Sequence, residues 1–223
     1  MPDSCRAQSE GGKVSNTSKM LYGIFFCFAL LFIVTLNLRP FPFVHIVKVI
    51  PVYSLAVLVF LNVLGSKGKL IGIGLLFSGV GDIVLELDRG NYFVYGLGAF
   101  LVAHLFYIAA FAKNLQIKGP RAVVAMVMIA YGLVVGFFLL PKLGDMLVPV
   151  VAYLAVIIAM GIFAALGASN HWLIIVGACF FIASDSILAV NRFLTPVPAS
   201  SLCIMLSYYS AQFFITTGAL KRH

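Results

Sequence analysis

Charge is what this sequence has least of. Only 10% of its 223 residues are Asp, Glu, Lys or Arg and 62% are hydrophobic, whereas soluble domains run near about 25% charged and about 45–50% apolar. A chain so depleted cannot clothe a water-exposed surface, and it reads as an integral membrane protein. Histidine is scarce too: His45, His104, His171 and His223 form neither an HExxH motif nor a close pair. Cys5, Cys27, Cys179 and Cys203 contain no CxxC. The donors of a zinc hydrolase are therefore missing, and no metal or other cofactor is expected. Three of the cysteines lie in apolar runs and read as small buried hydrophobes. There is no GxSxG elbow, and Ser184-Asp185-Ser186 is not a nucleophile motif. Gly72, Gly74, Gly79 and Gly81 follow no strand, so they make no phosphate loop.

Acidic residues are the rarest charge, seven against fifteen basic ones, for a net charge of +8. The cations sit in short tracts between apolar runs. That distribution suits membrane orientation and lipid headgroups, and no nucleic-acid partner is expected. After a polar, Ser- and Gly-rich stretch at 1–18, expected to be a disordered cytosolic tail, the remainder (19–223) holds about eight apolar runs. They fall at about 20–38, 43–64, 69–87, 92–113, 120–140, 146–166, 170–190 and 199–220, each near the ~20 residues a helix needs to span hydrocarbon. No small-residue cleavage site ends the first, which is expected to remain as a helix. Gly- and Pro-bearing breaks such as Lys118-Gly119-Pro120 and Thr195-Pro196-Val197-Pro198 separate the runs. The expected fold is all-α, a polytopic membrane bundle of about eight transmembrane helices. Sorting the basic residues by side gives ten with the N-terminus and alternate loops, against Arg39, Arg89, Lys142 and Arg192 opposite. By the positive-inside rule both termini are cytosolic.

The informative stretch is Leu75 to Asp88, LLFSGVGDIVLELD. Asp82 lies inside an apolar run with Glu86 four residues on, on the same helical face. A carboxylate at the centre of a spanning helix costs roughly 2.5–3.5 kcal/mol unless something answers it. A second, Asp185, occurs in CFFIASDSILAV. Laying Asp82 on Asp185 aligns Phe77 with Phe180, Leu85 with Leu188 and Arg89 with Arg192, the trace expected of two four-helix repeats. The orientation puts Lys48, Asp82, Glu86, Asp185 and Asn191 in the half away from the cytosol, with His104 and Gln212 nearer mid-depth. One internal cavity holding Asp82 and Asp185 would make them an acid–base pair. Which is acid and which is base stays open. Lys48, Glu86, His104, Tyr107, Asn191, Tyr208 and Gln212 are candidates to bind substrate or orient the carboxylates, Lys48 also as a phosphate contact. Each has a plainer reading as well: a Lys48–Asp82 ion pair stabilises packing, interhelical hydrogen bonds account for His104 and Gln212, and Arg89 and Arg192 anchor at the interface. The glycine-rich third helix is a candidate homodimer face.

The chain also resembles a known family, the lysoplasmalogenases of the YhhN membrane-protein family, in its animal-type members. The resemblance rests on Lys48-Val49-Ile50-Pro51, Phe77-Ser78 with Gly81-Asp82, Tyr92-Phe93-Val94-Tyr95-Gly96-Leu97 and Ala103-His104-Leu105-Phe106-Tyr107. It continues through Ser184-Asp185, Asn191-Arg192-Phe193, Pro196-Val197-Pro198 and Tyr208-Tyr209-Ser210-Ala211-Gln212. It implies an eight-helix enzyme of the endoplasmic reticulum that hydrolyses the vinyl ether of a lysophospholipid substrate, releasing a fatty aldehyde and glycerophosphocholine or glycerophosphoethanolamine, without cofactor. Vinyl ether hydrolysis begins with protonation of carbon, which suits paired carboxyl groups. Two rival readings start from the same residues: a proton-coupled lipid or small-molecule transporter, and a purely structural bundle.

Overall fold

The computed structural model describes residues 16–88 and 90–221. The first fifteen residues of the expected tail, and Arg89 with the interfacial role expected of it, lie outside the described residues. Eight helices follow in order: α1 Asn16–Val34, α2 Val44–Asn62, α3 Gly65–Leu87, α4 Phe93–Phe111, α5 Pro120–Leu139, α6 Leu147–Leu166, α7 Trp172–Phe193 and α8 Ser200–Leu220. They coincide with the eight apolar runs to within a few residues, although α1 already includes Asn16–Ser18. Seven are long and apolar enough to cross a bilayer, as befits an integral membrane protein. The eighth, α8, is too polar in composition for that set, and its polar residues Ser207, Tyr208, Gln212 and Thr216 are buried in the bundle.

Local chemistry sets the breaks. Gly119 takes φ 71 and hands over to Pro120 in the first turn of α5, where the missing N–H has no partner to lose. Between α3 and α4, Asp88 Oδ1 accepts from the backbone N–H of Gly90 at 2.7 Å and of Asn91 at 3.0 Å, and Oδ2 accepts from Asn91 Nδ2 at 2.8 Å. These donors, Asn91 foremost, hold the Asp88 carboxyl below its ordinary pKa. At the opposite end Asn170 Nδ2 donates to the carbonyls of Phe111, Phe163 and Ala164. It thereby satisfies C-terminal carbonyls of both α4 and α6, which no helix can pair by itself.

Six helices close into a ring in the order α2, α3, α4, α6, α7, α8, with α8 returning to α2. α1 packs outside against α2 and α8, and α5 outside against α6 and α7. Exchanging α1–α4 for α5–α8 carries the principal contacts onto one another: α2 with α8 becomes α6 with α4. That is the neighbour pattern a duplication leaves. α3 and α7, the helices that carry Asp82 and Asp185, occupy corresponding places.

Two expectations are corrected. The α3 glycines do not form a free dimer face: a Cβ at Gly72 or Gly79 would strike the rings of Phe60 and Tyr53 on α2, and one at Gly74 or Gly81 the rings of Tyr107 and Phe100 on α4. Their smallness is used within the chain, to wedge α3 between its two neighbours. Cys27, Cys179 and Cys203 are not buried; they are exposed on the outside of the bundle, where a membrane solvates a thiol's apolar body as well as a core does.

Gly177 gives the most direct test of this packing. A Cβ there would stand 2.8 Å from both the Ala211 carbonyl oxygen and the Ile215 nitrogen, whereas nothing lies within 4 Å of a Cβ at Gly98. Gly177→Val is expected to destabilise by about 1–3 kcal/mol through overpacking and to lower the thermal midpoint in detergent. Gly98→Ala should leave the midpoint unchanged or raise it.

Candidate active site

The site is built where α2, α3, α4, α6, α7 and α8 meet, at the end of the bundle where α3 and α7 finish. Lys48 enters from α2, one turn before Pro51. Proline cannot donate to the carbonyl four residues back, and this stretch of α2 gains an outside partner: Tyr209 Oη donates to the Lys48 carbonyl at 2.8 Å. Lys48 is 5% exposed and Asp82 3% exposed, so neither charge is spread into bulk water. They answer each other, with Lys48 Nζ 3.3 Å from Asp82 Oδ1 and 3.3 Å from Glu86 Oε2. Arg39 closes the group from the α1–α2 connection, its Nη1 3.2 Å from Glu86 Oε1. Two cations thus meet two carboxylates in a neutral, linked cluster. Asp82 Oδ2 also accepts from Tyr208 Oη at 2.5 Å.

Asp185 is held differently. Tyr153 of α6 donates its hydroxyl to Asp185 Oδ2 in a short hydrogen bond. Among the described residues no cation lies within ion-pair distance of it. The two halves of the chain therefore present corresponding carboxylates in unlike company. In one half α2 offers an ammonium to α3, and in the other α6 offers a phenol to α7.

Both carboxylates line one cavity of about 280 Å³, as the sequence led one to expect. Lys48, Asn191 and Tyr208 line it as well. Lys48 is not left over for a phosphate, because its three ammonium donors face the Asp82 and Glu86 carboxylates and the Asp82 carbonyl, 3.5 Å away. Asn191 Oδ1 accepts from the Val197 N–H at 2.9 Å and so shapes the α7–α8 connection. The other four candidates stand off the cavity wall, and packing explains why. Glu86 is turned into the Arg39–Lys48 cluster, with its side chain 7% exposed. His104 is wholly buried, bonded through Nδ1 to the Phe100 carbonyl of its own helix and ringed by Tyr107, Tyr153 and Phe181. Tyr107 Oη donates to Gln212 Oε1 at 2.9 Å in the core beside α8. These four support the walls from behind.

Sequence reasoning passed over Tyr153 as a site residue, although a lone tyrosine in the apolar run of α6 was a visible signal. It also set Arg192 aside as an interfacial anchor. Arg192 lines the cavity and lies over the Phe93 ring, 3.9 Å from its centroid. Ser200 and Ser201, in the first turn of α8, line the same mouth. They follow Arg192 by only eight and nine residues across the short α7–α8 connection, which places them at the same end of the bundle.

The ion-pair cluster makes a stability test. Lys48→Met leaves two buried carboxylates with only Arg39 to answer them and should cost about 3–5 kcal/mol, the price of breaking a buried pair. Adding Asp82→Asn removes the stranded charge and should recover part of that loss, read as thermal midpoints of the two proteins in the same detergent.

The chain matches the YhhN family over residues 43–219, which spans α2 to α8 and omits α1, the helix packed outside the ring. It is 34% identical to lysoplasmalogenase TMEM86A of Homo sapiens over 191 residues, 79% of this chain and 78% of that protein. To human lysoplasmalogenase TMEM86B it is 36% identical over 185 residues, 80% and 76% of the two chains. To a lysoplasmalogenase of Mycobacterium tuberculosis it is 36% identical over 163 residues, 70% and 62%. No solved structure matches. A match over most of the chain, with Asp82 and Asp185 both inside the matched region, makes this chain a member of the YhhN family.

Proposed function

We propose that this chain is a lysoplasmalogenase, a membrane hydrolase that cleaves the vinyl ether of lysoplasmalogens to a fatty aldehyde and the glycerophospho-alcohol. The observation that carries the reading is the shared cavity with its unequal carboxylates. The names of the relatives support the substrate class.

The chemistry follows from that inequality. Asp185, beside a phenol and away from any cation, is the proton donor. It protonates the alkene carbon beta to the ether oxygen, leaving an oxocarbenium ion. Asp82, held as a carboxylate by Lys48, stabilises this cation and takes a proton from the water that adds to it. The hemiacetal then collapses. The Asp82 proton goes to the departing glycerol oxygen, and the hemiacetal hydroxyl returns its proton to Asp185. One water is consumed and both carboxyl groups are reset. Tyr153 and Tyr208 fix the orientation of the two carboxyls.

The headgroup has a natural place at the mouth. Arg192 lies seven residues beyond Asp185 on α7, two turns or about 10 Å along the same face. That is comparable to the distance across a glycerol backbone from the alkene carbon to phosphorus. The first turn of α8 brings Ser200 and Ser201 to the same mouth, at a helix N-terminus of the kind that receives phosphate, although the Ser200 N–H itself goes to the Val197 carbonyl at 3.1 Å. The apolar wall, including Leu97, Phe100 and Met205, suits the alkenyl chain. The basic excess at the opposite end supports cytosolic termini. We place the enzyme in the endoplasmic reticulum on the family resemblance, with this cavity toward the lumen.

Purified protein in detergent should release aldehyde from a defined lysoplasmalogen without any gradient. Asp82→Asn and Asp185→Asn should each lower kcat by about 10²–10⁴-fold, the usual worth of a general acid or base, while eluting as folded protein. Unchanged release by either variant contradicts the assignment. A transporter would return the substrate intact. Arg192→Gln should raise KM about tenfold or more, the loss of a charge-assisted phosphate contact, with kcat little changed.

A further inference from the structure

A second concavity, of about 460 Å³, lies at the other end of the bundle. It is framed by the start of α3, the ends of α4 and α8 and the α6–α7 connection, and its polar lining is Ser66, Lys67, Lys113, Asn114, Ser169 and Lys221. Its walls are fixed rather than loose. Gln116 N–H donates to the Leu166 carbonyl at 2.8 Å, and Ala168 N–H to the Asn114 carbonyl at 3.0 Å. Arg121 clamps the Gly167 and Asn170 carbonyls at 2.6 and 2.9 Å.

Three lysines line this space and no carboxylate does. Charge is segregated along the whole molecule: the acidic residues among those described are Asp82, Glu86, Asp88, Asp145 and Asp185, all toward the cavity end. Lys67, Lys69, Lys113, Lys118, Arg121 and Lys221 crowd the opposite end, where none of these described acids lies. Membrane orientation explains an excess of cations on that side, and Lys113 and Lys221 stand just past the C-termini of α4 and α8, where a cation complements the helix dipole. The dipole does not account for Lys67. It sits in the first turn of α3, where the dipole opposes a cation, and helps line a pocket with two others. Its Nζ donates to the Ser169 carbonyl at 3.2 Å and to Asn170 Oδ1 at 3.1 Å, which leaves the third ammonium donor for a ligand. The start of α3 carries no side-chain cap, so its first N–H groups face the same end.

We propose that this pocket is a second ligand site, distinct from the catalytic cavity, and that it binds a phosphate-bearing anion at the membrane surface. Lys67, Lys113 and Lys221 supply the charge, Ser66 and Asn114 the neutral donors. Two sources present this chemistry, the headgroup of an anionic phospholipid and a soluble phosphate ester. The apolar floor of Leu70, Ala109, Ala110 and Ala219 accommodates the glycerol and first methylenes of the former.

The test uses the full-length protein in phosphatidylcholine nanodiscs, titrated calorimetrically with dioctanoyl phosphatidylinositol 4-phosphate and, separately, with inositol 1,4-bisphosphate. Lys113→Gln/Lys221→Gln is the probe variant, since neither side chain holds the fold through a described hydrogen bond. Lys69→Gln/Lys118→Gln is the charge-matched control outside the lining. Wild type and control should bind, with affinity falling as salt rises. The probe variant should bind about tenfold or more weakly, as the loss of two cations beside a headgroup requires, while its aldehyde release and thermal midpoint stay at wild-type values. Binding of the lipid alone identifies a headgroup site, and equal binding of both probes identifies a soluble ester. Absence of binding by either probe, or equal loss in the probe variant and the control, overturns the proposal.

Discussion

A lysine ammonium buried among helices, with carboxylates on either side, is the interaction on which the rest of this structure depends. Lys48 cannot be charged in such a place without Asp82 and Glu86, and they cannot be charged without it and Arg39. Satisfying these four groups fixes α2 against α3 and draws in the α1–α2 connection. Tyr208 and Tyr209 then tie α8 to the same cluster, which closes the helical ring. Once Asp82 is committed to this neutral cluster, Asp185 is left with no ion-pair partner among the described residues. The asymmetry that acid–base chemistry needs is thus a by-product of how the bundle balances its charge.

The two halves make this asymmetry easier to see. Their helices pack in the same order, and the same places in the ring hold an aspartate on α3 and on α7. What differs is the partner, an ammonium from α2 in one half and a phenol from α6 in the other. A purely structural role would be served by two alike pairs, or by none. Two unlike pairs opening on one cavity is the arrangement in which a proton can be given by one side and taken by the other.

Much of this was legible in the sequence because a membrane makes polar residues conspicuous. Eight apolar runs separated by Gly- and Pro-bearing breaks could be placed to within a few residues. Asp82 and Asp185 stood out as carboxylates in apolar runs, and their shared depth made one common cavity the natural expectation. The side partners were harder. His104, Tyr107 and Gln212 share that depth but lie behind the wall, because depth fixes position along the membrane normal and not the direction a side chain faces. Arg192 read as an interfacial anchor because its position at the end of α7 does not say whether its side chain turns to the membrane surface or to the cavity. The α3 glycines advertised close packing without saying whether the partner was a second chain or the helices on either side.

The most direct measurement is an experimental structure of the purified protein with a saturated alkyl-ether lysophospholipid, which matches the substrate but has no alkene to protonate. The account predicts the first chain carbon between Asp82 and Asp185, with the phosphate at Arg192 and the start of α8. A lipid seated outside this cavity, or threaded with its headgroup away from Arg192, would contradict it.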